Sequence, residues 1–148
     1  MEHYSYVNNK VYSVDLMFAY INIVKPHIYK IKLNKLNYDM DNKCWDDRKT
    51  SVNDVLKNPK KYKYDYDNIN NADLKYPIII NNKGLIYDGV HRYSKSKLLN
   101  KKIIKVYIFD DKLLNKFIIN KTGNCNINIK IHEYIEIFMK QFVVIAKP

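Results

Sequence analysis

A chain of 148 residues, 47% of them hydrophobic, is long enough to bury one core and too short for several. Its formal net charge of +11 favours phosphates and nucleic acid over cationic partners, and no apolar run approaches the roughly 20 residues of a membrane span. Cys44 and Cys125 are far apart and outside any C-x-x-C pair, which excludes a disulfide framework and a cysteine zinc site.

With no secretory segment in view, those two cysteines point to a reducing, intracellular compartment. Heavy use of Lys, Asn, Ile and Tyr is the mark of AT-rich coding, so spacing carries more information than counts. Only Arg48 and Arg92 among the 26 basic residues are arginine. Arginine is the better fork for phosphate, and lysine is ordinary surface filler. An arginine inside a motif therefore says more than another lysine.

Met1 to Lys10 read as a loose polar arm. Ser13 is placed to cap a helix through Asp15–Tyr20, ended by Pro26. In Ile28–Leu33 apolar and charged residues alternate, the period of a half-buried strand. Leu36 to Arg48, with the one Trp, reads as loop with a helical turn, Trp45 lying in the core. Ser51 and Asp54 have capping-box spacing for a helix Val52–Lys57, stopped at Asn58-Pro59. The Lys/Tyr/Asp-rich stretch Lys60–Asn71 reads as a solvated loop whose tyrosines lean on the core, nucleic-acid stacking by those tyrosines being the alternative. Ile78–Ile80 and Leu85–Tyr87 form a hairpin about Asn81-Asn82-Lys83-Gly84. A helix from about Val90 to Leu99 and a strand Ile103–Phe109 follow. Asp110-Asp111 can cap a helix over Lys112–Ile119, and Gly123 precedes a last amphipathic element, Ile131–Ile145. His3, His27 and His132 are isolated and suggest no metal site.

The segment with chemistry is Asp88-Gly89-Val90-His91-Arg92. Gly89 sits where a strand turns into a helix, and the amides of Val90, His91 and Arg92 fall in the first turn, where no backbone acceptor reaches them. With the positive end of the helix dipole they form an anion site. Glycine lets an anion approach the backbone. Arg92 lies one turn in and leans back toward the same place, where its guanidinium can bind two phosphate oxygens. His91 is a candidate acid or base near neutral pH, and Asp88 a candidate proton acceptor, orienting group or Mg²⁺ ligand. Structural alternatives stand beside each: Arg92 paired with an acid, His91 as a structural hydrogen-bonder, Asp88 as a helix cap.

Asp88-Gly89-Val90-His91-Arg92-Tyr93, after the Gly84 hairpin and the lead-in Ala72-Asp73-Leu74-Lys75-Tyr76-Pro77-Ile78, resembles the signature of the ParB/sulfiredoxin superfamily, and most of all uncharacterised ParB-like proteins. The resemblance runs from about Ile28 to Phe109. It implies an α+β fold, a small mixed β-sheet flanked by helices, with a core at residues 28–109 inside a single domain 1–148 and a helical extension at 110–148. It implies nucleotide phosphate binding by Gly89, Val90, His91 and Arg92, ATP or CTP with Mg²⁺ as ligand, and phosphotransfer or nucleotide hydrolysis with His91 and Asp88 catalytic. Val90 stands where sulfiredoxins carry their catalytic cysteine, so the resemblance does not extend to sulfiredoxin activity. The helix-turn-helix of true ParB has no room after Phe109. The other function class is a non-catalytic module that uses its +11 charge to bind nucleic acid without sequence preference.

Overall fold

The computed structural model of the protein describes residues 3–46 and 48–120, and its fold is α+β. In chain order the elements are β1 (Tyr4–Val7), β2 (Lys10–Ser13), α1 (Val14–Val24), β3 (Tyr29–Lys32), β4 (Lys43–Trp45), β5 (Thr50–Ser51), α2 (Val52–Lys57), α3 (Lys63–Asn71), β6 (Ile78–Asn81), β7 (Ile86–Asp88), α4 (Val90–Leu98), β8 (Ile103–Phe109), α5 (Asp111–Asn115) and β9 (Ile118–Asn120). They fall into two compact units, one spanning Ile28–Ile108 and one built from the segments on either side of it. Among the described residues no helix is long and apolar enough to cross a membrane.

The flanking unit departs from the sequence reading. Residues 4–13 are a hairpin, not a loose arm: β1 and β2 pair antiparallel from Tyr4↔Ser13 to Val7↔Lys10. Asn8 and Asn9, both at positive φ, form its two-residue turn, a conformation asparagine tolerates better than most residues. Ser13 ends β2 and caps α1, its hydroxyl accepting from the Leu16 amide at 3.2 Å. The helix expected over Lys112–Ile119 is shorter. Asp110 caps α5, but the chain leaves the helix after Asn115, and Ile118–Asn120 adds to β2 as β9. The helical reading of 110–148 thus fails at β9, because pairing with β2 outweighs local propensity; Ile131–Ile145 lies outside the described residues. Tyr20, Phe109 and Phe117 meet edge-on or tilted, with centroids 5.5–6.0 Å apart.

The Ile28–Ile108 unit contains a four-stranded sheet in the order β3-β8-β6-β7. β3 runs antiparallel to β8, pairing Ile31 with Ile104 and Tyr29 with Val106, and this face meets a core of Leu33, Leu36, Ile78, Ile80, Ile86 and Tyr93. The β6–β7 hairpin closes as expected about Gly84, with Asn81 Oδ1 accepting from the Lys83 and Leu85 amides.

A second cluster forms under α2 and α3. Ser51 and Asp54 make the capping box, each side chain accepting from the other's backbone. The Lys60–Asn71 stretch is not a loop: α3 occupies Lys63–Asn71. Tyr62, Tyr66 and Ile69, spaced by four and three, pack on Val52 and Val55, so the tyrosines form a helical stripe against the core. Lys63 pairs with Asp67 one turn on. The helical turn expected within Leu36–Arg48 does not form among its described residues: a 3₁₀ turn lies just before it, at Leu33–Lys35, and the segment instead supplies β4, which pairs with β5.

Candidate functional site

Three elements position the site: the end of β7, the start of α4, and the β4 segment that presents Trp45. Gly89 caps α4 at φ 113° and ψ 26°, a left-handed conformation natural only to glycine. A Cβ there would lie 2.6 Å from the Ile78 Cβ and nearer still to its Cγ2. The glycine is therefore required by backbone conformation and by close packing of the turn on β6. The direction in which a side chain would project is filled by Ile78, which corrects the expectation that this space admits an anion.

The first intrahelical bond comes from the Tyr93 amide, to the Gly89 carbonyl at 2.9 Å. Gly89 supplies no side-chain cap. Among the described residues the amides of Val90, His91 and Arg92 find no acceptor, as expected of a helix start left open. The Val90 side chain packs against both apolar clusters, so what it offers a ligand is its amide.

Arg92 is placed differently from the sequence expectation. Its Nη2 donates to Asp88 Oδ2 at 2.7 Å, and its Nη1 donates to the carbonyls of Pro77 at 2.7 Å and Tyr76 at 3.3 Å. The fork closes on the protein itself. Asp88 is accordingly the partner of Arg92, one helical turn away, and the helix cap is Gly89. Farther along α4, Lys95 Nζ donates to the Ala72 carbonyl at 2.7 Å. Arg92 and Lys95 together hold the segment 72–77 that leads into β6, which gives the Ala72–Ile78 lead-in a physical role.

His91 faces Trp45. The rings stack with centroids 4.7 Å apart and planes 8° from parallel. Its Nε2 is buried and, among the described residues, has no hydrogen-bond partner. Burial pushes the imidazole below its usual range; Arg92 adds to this, while Asp65 and Asp88 oppose it. Asp65, at the start of α3, is itself raised by burial, with His91 opposing and Asp46 reinforcing the shift. Nearby, the Tyr38 hydroxyl and Cys44 Sγ share a hydrogen bond at 3.1 Å, and burial raises both groups. Cys44 is thus a protonated thiol at neutral pH.

No family model, curated protein or solved structure matches this chain. The reading of the site therefore rests on its geometry.

The structure brings Gly89, Val90, His91, Arg92 and Asp88 together at one turn. Trp45 and Asp65 are the neighbours that the sequence reading missed. Trp45 is 46 positions from His91, and no local spacing joins them. Among the described residues no group of three or more His, Cys, Asp or Glu gathers as a metal would require.

The depressed His91 gives a pH prediction. Between its folded value and the ordinary 6.5, the unfolded chain takes up a proton that the folded one resists. Stability should therefore rise with pH through that window, level off above 6.5, and fall as acid is added. Trp45 is the one tryptophan, so its fluorescence should show a step at the same pH. A His91→Gln variant should lose the fluorescence step; a step unchanged in that variant would assign it to another group.

Proposed function

We propose that this protein binds a nucleotide or another phosphate compound at the open first turn of α4, as the ParB/sulfiredoxin resemblance implies. The observation that carries the reading is a juxtaposition. Among the described residues three consecutive amides, of Val90, His91 and Arg92, have no protein acceptor, and the buried Nε2 of His91 has no partner. Oriented amides at the positive end of a nine-residue helix favour a phosphate. A buried polar atom without a partner suits a site completed by a ligand or water.

The division of labour differs from the sequence expectation. The amides would hold phosphate oxygens. Arg92 acts as a positioning residue that locks the turn against the segment before β6. Asp88 serves Arg92, which leaves His91 as the candidate for proton handling, neutral near pH 7 because it is buried. Phosphotransfer or nucleotide hydrolysis is the reaction class that suits such a site, with catalysis coming chiefly from phosphate positioning.

Trp45 makes the test direct. Titrating ATP, CTP or inorganic phosphate, with and without Mg²⁺, should change the fluorescence of the Trp45–His91 stack saturably and raise the melting temperature. At a ligand concentration of about 100 times Kd, the stabilisation should reach about 2.7 kcal/mol. No fluorescence change and no thermal shift with any of them would overturn the reading. Release of phosphate on incubation would add turnover to binding.

A further inference from the structure

The charge of the Ile28–Ile108 unit is unevenly spread along its chain. Residues 38–88 carry nine acidic and nine basic side chains and are neutral overall. The segments on either side, 28–37 and 89–108, carry nine basic side chains and no acidic one. AT-rich coding supplies lysine everywhere, but it does not remove aspartate from two particular segments. In the fold these segments are neighbours: β3 pairs with β8, and the Leu33 amide donates to the Lys102 carbonyl at 2.9 Å.

Where they meet, at the C-terminal end of α4, lies an open basin of about 630 Å³. Lys32, Lys97, Lys101 and Lys102 line it, with Asn34 and Asn100 and the apolar Leu33 and Ile103. The six polar side chains are exposed. Among the described residues none of the four lysines is paired with a carboxylate, although Lys97 also reaches the Tyr93 ring, 6.0 Å from its centroid. On the neighbouring ladder Lys30 stands directly opposite Lys105. Like charges in that position repel one another, and an anion between them would relieve the repulsion.

We propose that this basin seats the sugar–phosphate backbone of a nucleic acid. Several ammonium groups spread over a concavity suit a row of phosphates, each lysine acting as a point charge. The asparagine amides add donors for backbone oxygens. The concave shape favours a phosphate ridge over a flat bilayer surface. The site is separate from the α4 start and does not rest on the nucleotide reading.

The test measures the salt dependence of binding to a fluorescein-labelled DNA duplex of mixed sequence, by anisotropy over a series of NaCl concentrations. Each lysine–phosphate contact contributes about −0.9 to the slope of log K against log salt. The variant Lys32→Gln/Lys101→Gln/Lys102→Gln should therefore lose about 3 units of slope. The control Lys57→Gln/Lys60→Gln/Lys83→Gln removes the same charge from the neutral 38–88 segment and should lose less than about 1 unit. Lys102→Gln alone, expected to lose about 1 unit, serves if the triple variant does not fold. Equal losses in the two triple variants would reduce the effect to overall charge and overturn the proposal. Absence of binding by the wild type at low salt would also overturn it, as would binding to phosphatidylserine vesicles without affinity for DNA. The Trp45 response to nucleotide, followed in the same variants, tests the α4 turn independently.

Discussion

Gly89→Ala is expected to destabilise the protein by about 2–5 kcal/mol. Two costs add. A left-handed backbone costs a side-chain-bearing residue roughly 1–2 kcal/mol. The new Cβ, 2.6 Å from the Ile78 Cβ, then forces a fully buried side chain to move, which in a packed core costs about 1–3 kcal/mol. Such a loss is a large share of the roughly 5–15 kcal/mol that holds a domain folded. Urea unfolding checks it, and Gly89→Val should be worse. Ile78→Ala removes the struck Cγ2 but keeps the struck Cβ and leaves the backbone strain, so it should relieve Gly89→Ala only in part, and the two substitutions should be less than additive together. A Gly89→Ala protein within about 0.5 kcal/mol of wild type would show that the turn relaxes.

Arg92→Lys is the second. A guanidinium free to clamp phosphate would make Arg92→Lys weaken phosphate binding and leave the melting temperature unchanged. The structure places it on Asp88 and on the Tyr76 and Pro77 carbonyls, with the Arg92 and Asp88 side chains only 18% and 22% exposed. Lysine can satisfy one of these acceptors at a time. The expected cost is now about 1–3 kcal/mol of stability, since hydrogen bonds of charged groups contribute about 1.5–3 kcal/mol and partial exposure discounts them. Arg92→Ala should cost more, because it also leaves the Asp88 carboxylate half-buried and alone. Thermal melting and nucleotide titration on the same samples separate the two roles. A lower melting temperature supports the positioning role. An unchanged melting temperature with roughly tenfold weaker binding would show that Arg92 leaves Asp88 to hold the ligand.

Much of the Ile28–Ile108 unit was legible because its signals are local. The Ser51/Asp54 capping box, the Gly84 hairpin, the start of α4 after Gly89 and the alternation in β3 each depend on a few adjacent residues. The failures are of two kinds. In 4–13 and 63–71 the local signal was present but hidden by composition. Asn8-Asn9 is a two-residue turn, and Tyr62, Tyr66 and Ile69 are a helical stripe, yet both lie in tracts that resemble filler. At β9 and at the site, long-range contact decided the outcome. Nothing near Ile118 announces that it will pair with β2. Pairing of Arg92 with an acid was among the alternatives, and that acid, Asp88, lies one turn away, but nothing near Arg92 announces the two carbonyls that fill the rest of its fork, or near His91 that Trp45 will lie flat on it. The residues of the site were readable, but their partners were not.

The grip of α4 on the chain before β6 has a mechanical consequence. Arg92 and Lys95 fasten one side of the helix to the carbonyls of Ala72, Tyr76 and Pro77, so α4 and the connection from α3 to β6 behave as one strut. A ligand pulling on the first turn of α4 would load the end of α3 through that strut, and Asp65 near His91 belongs to the same helix.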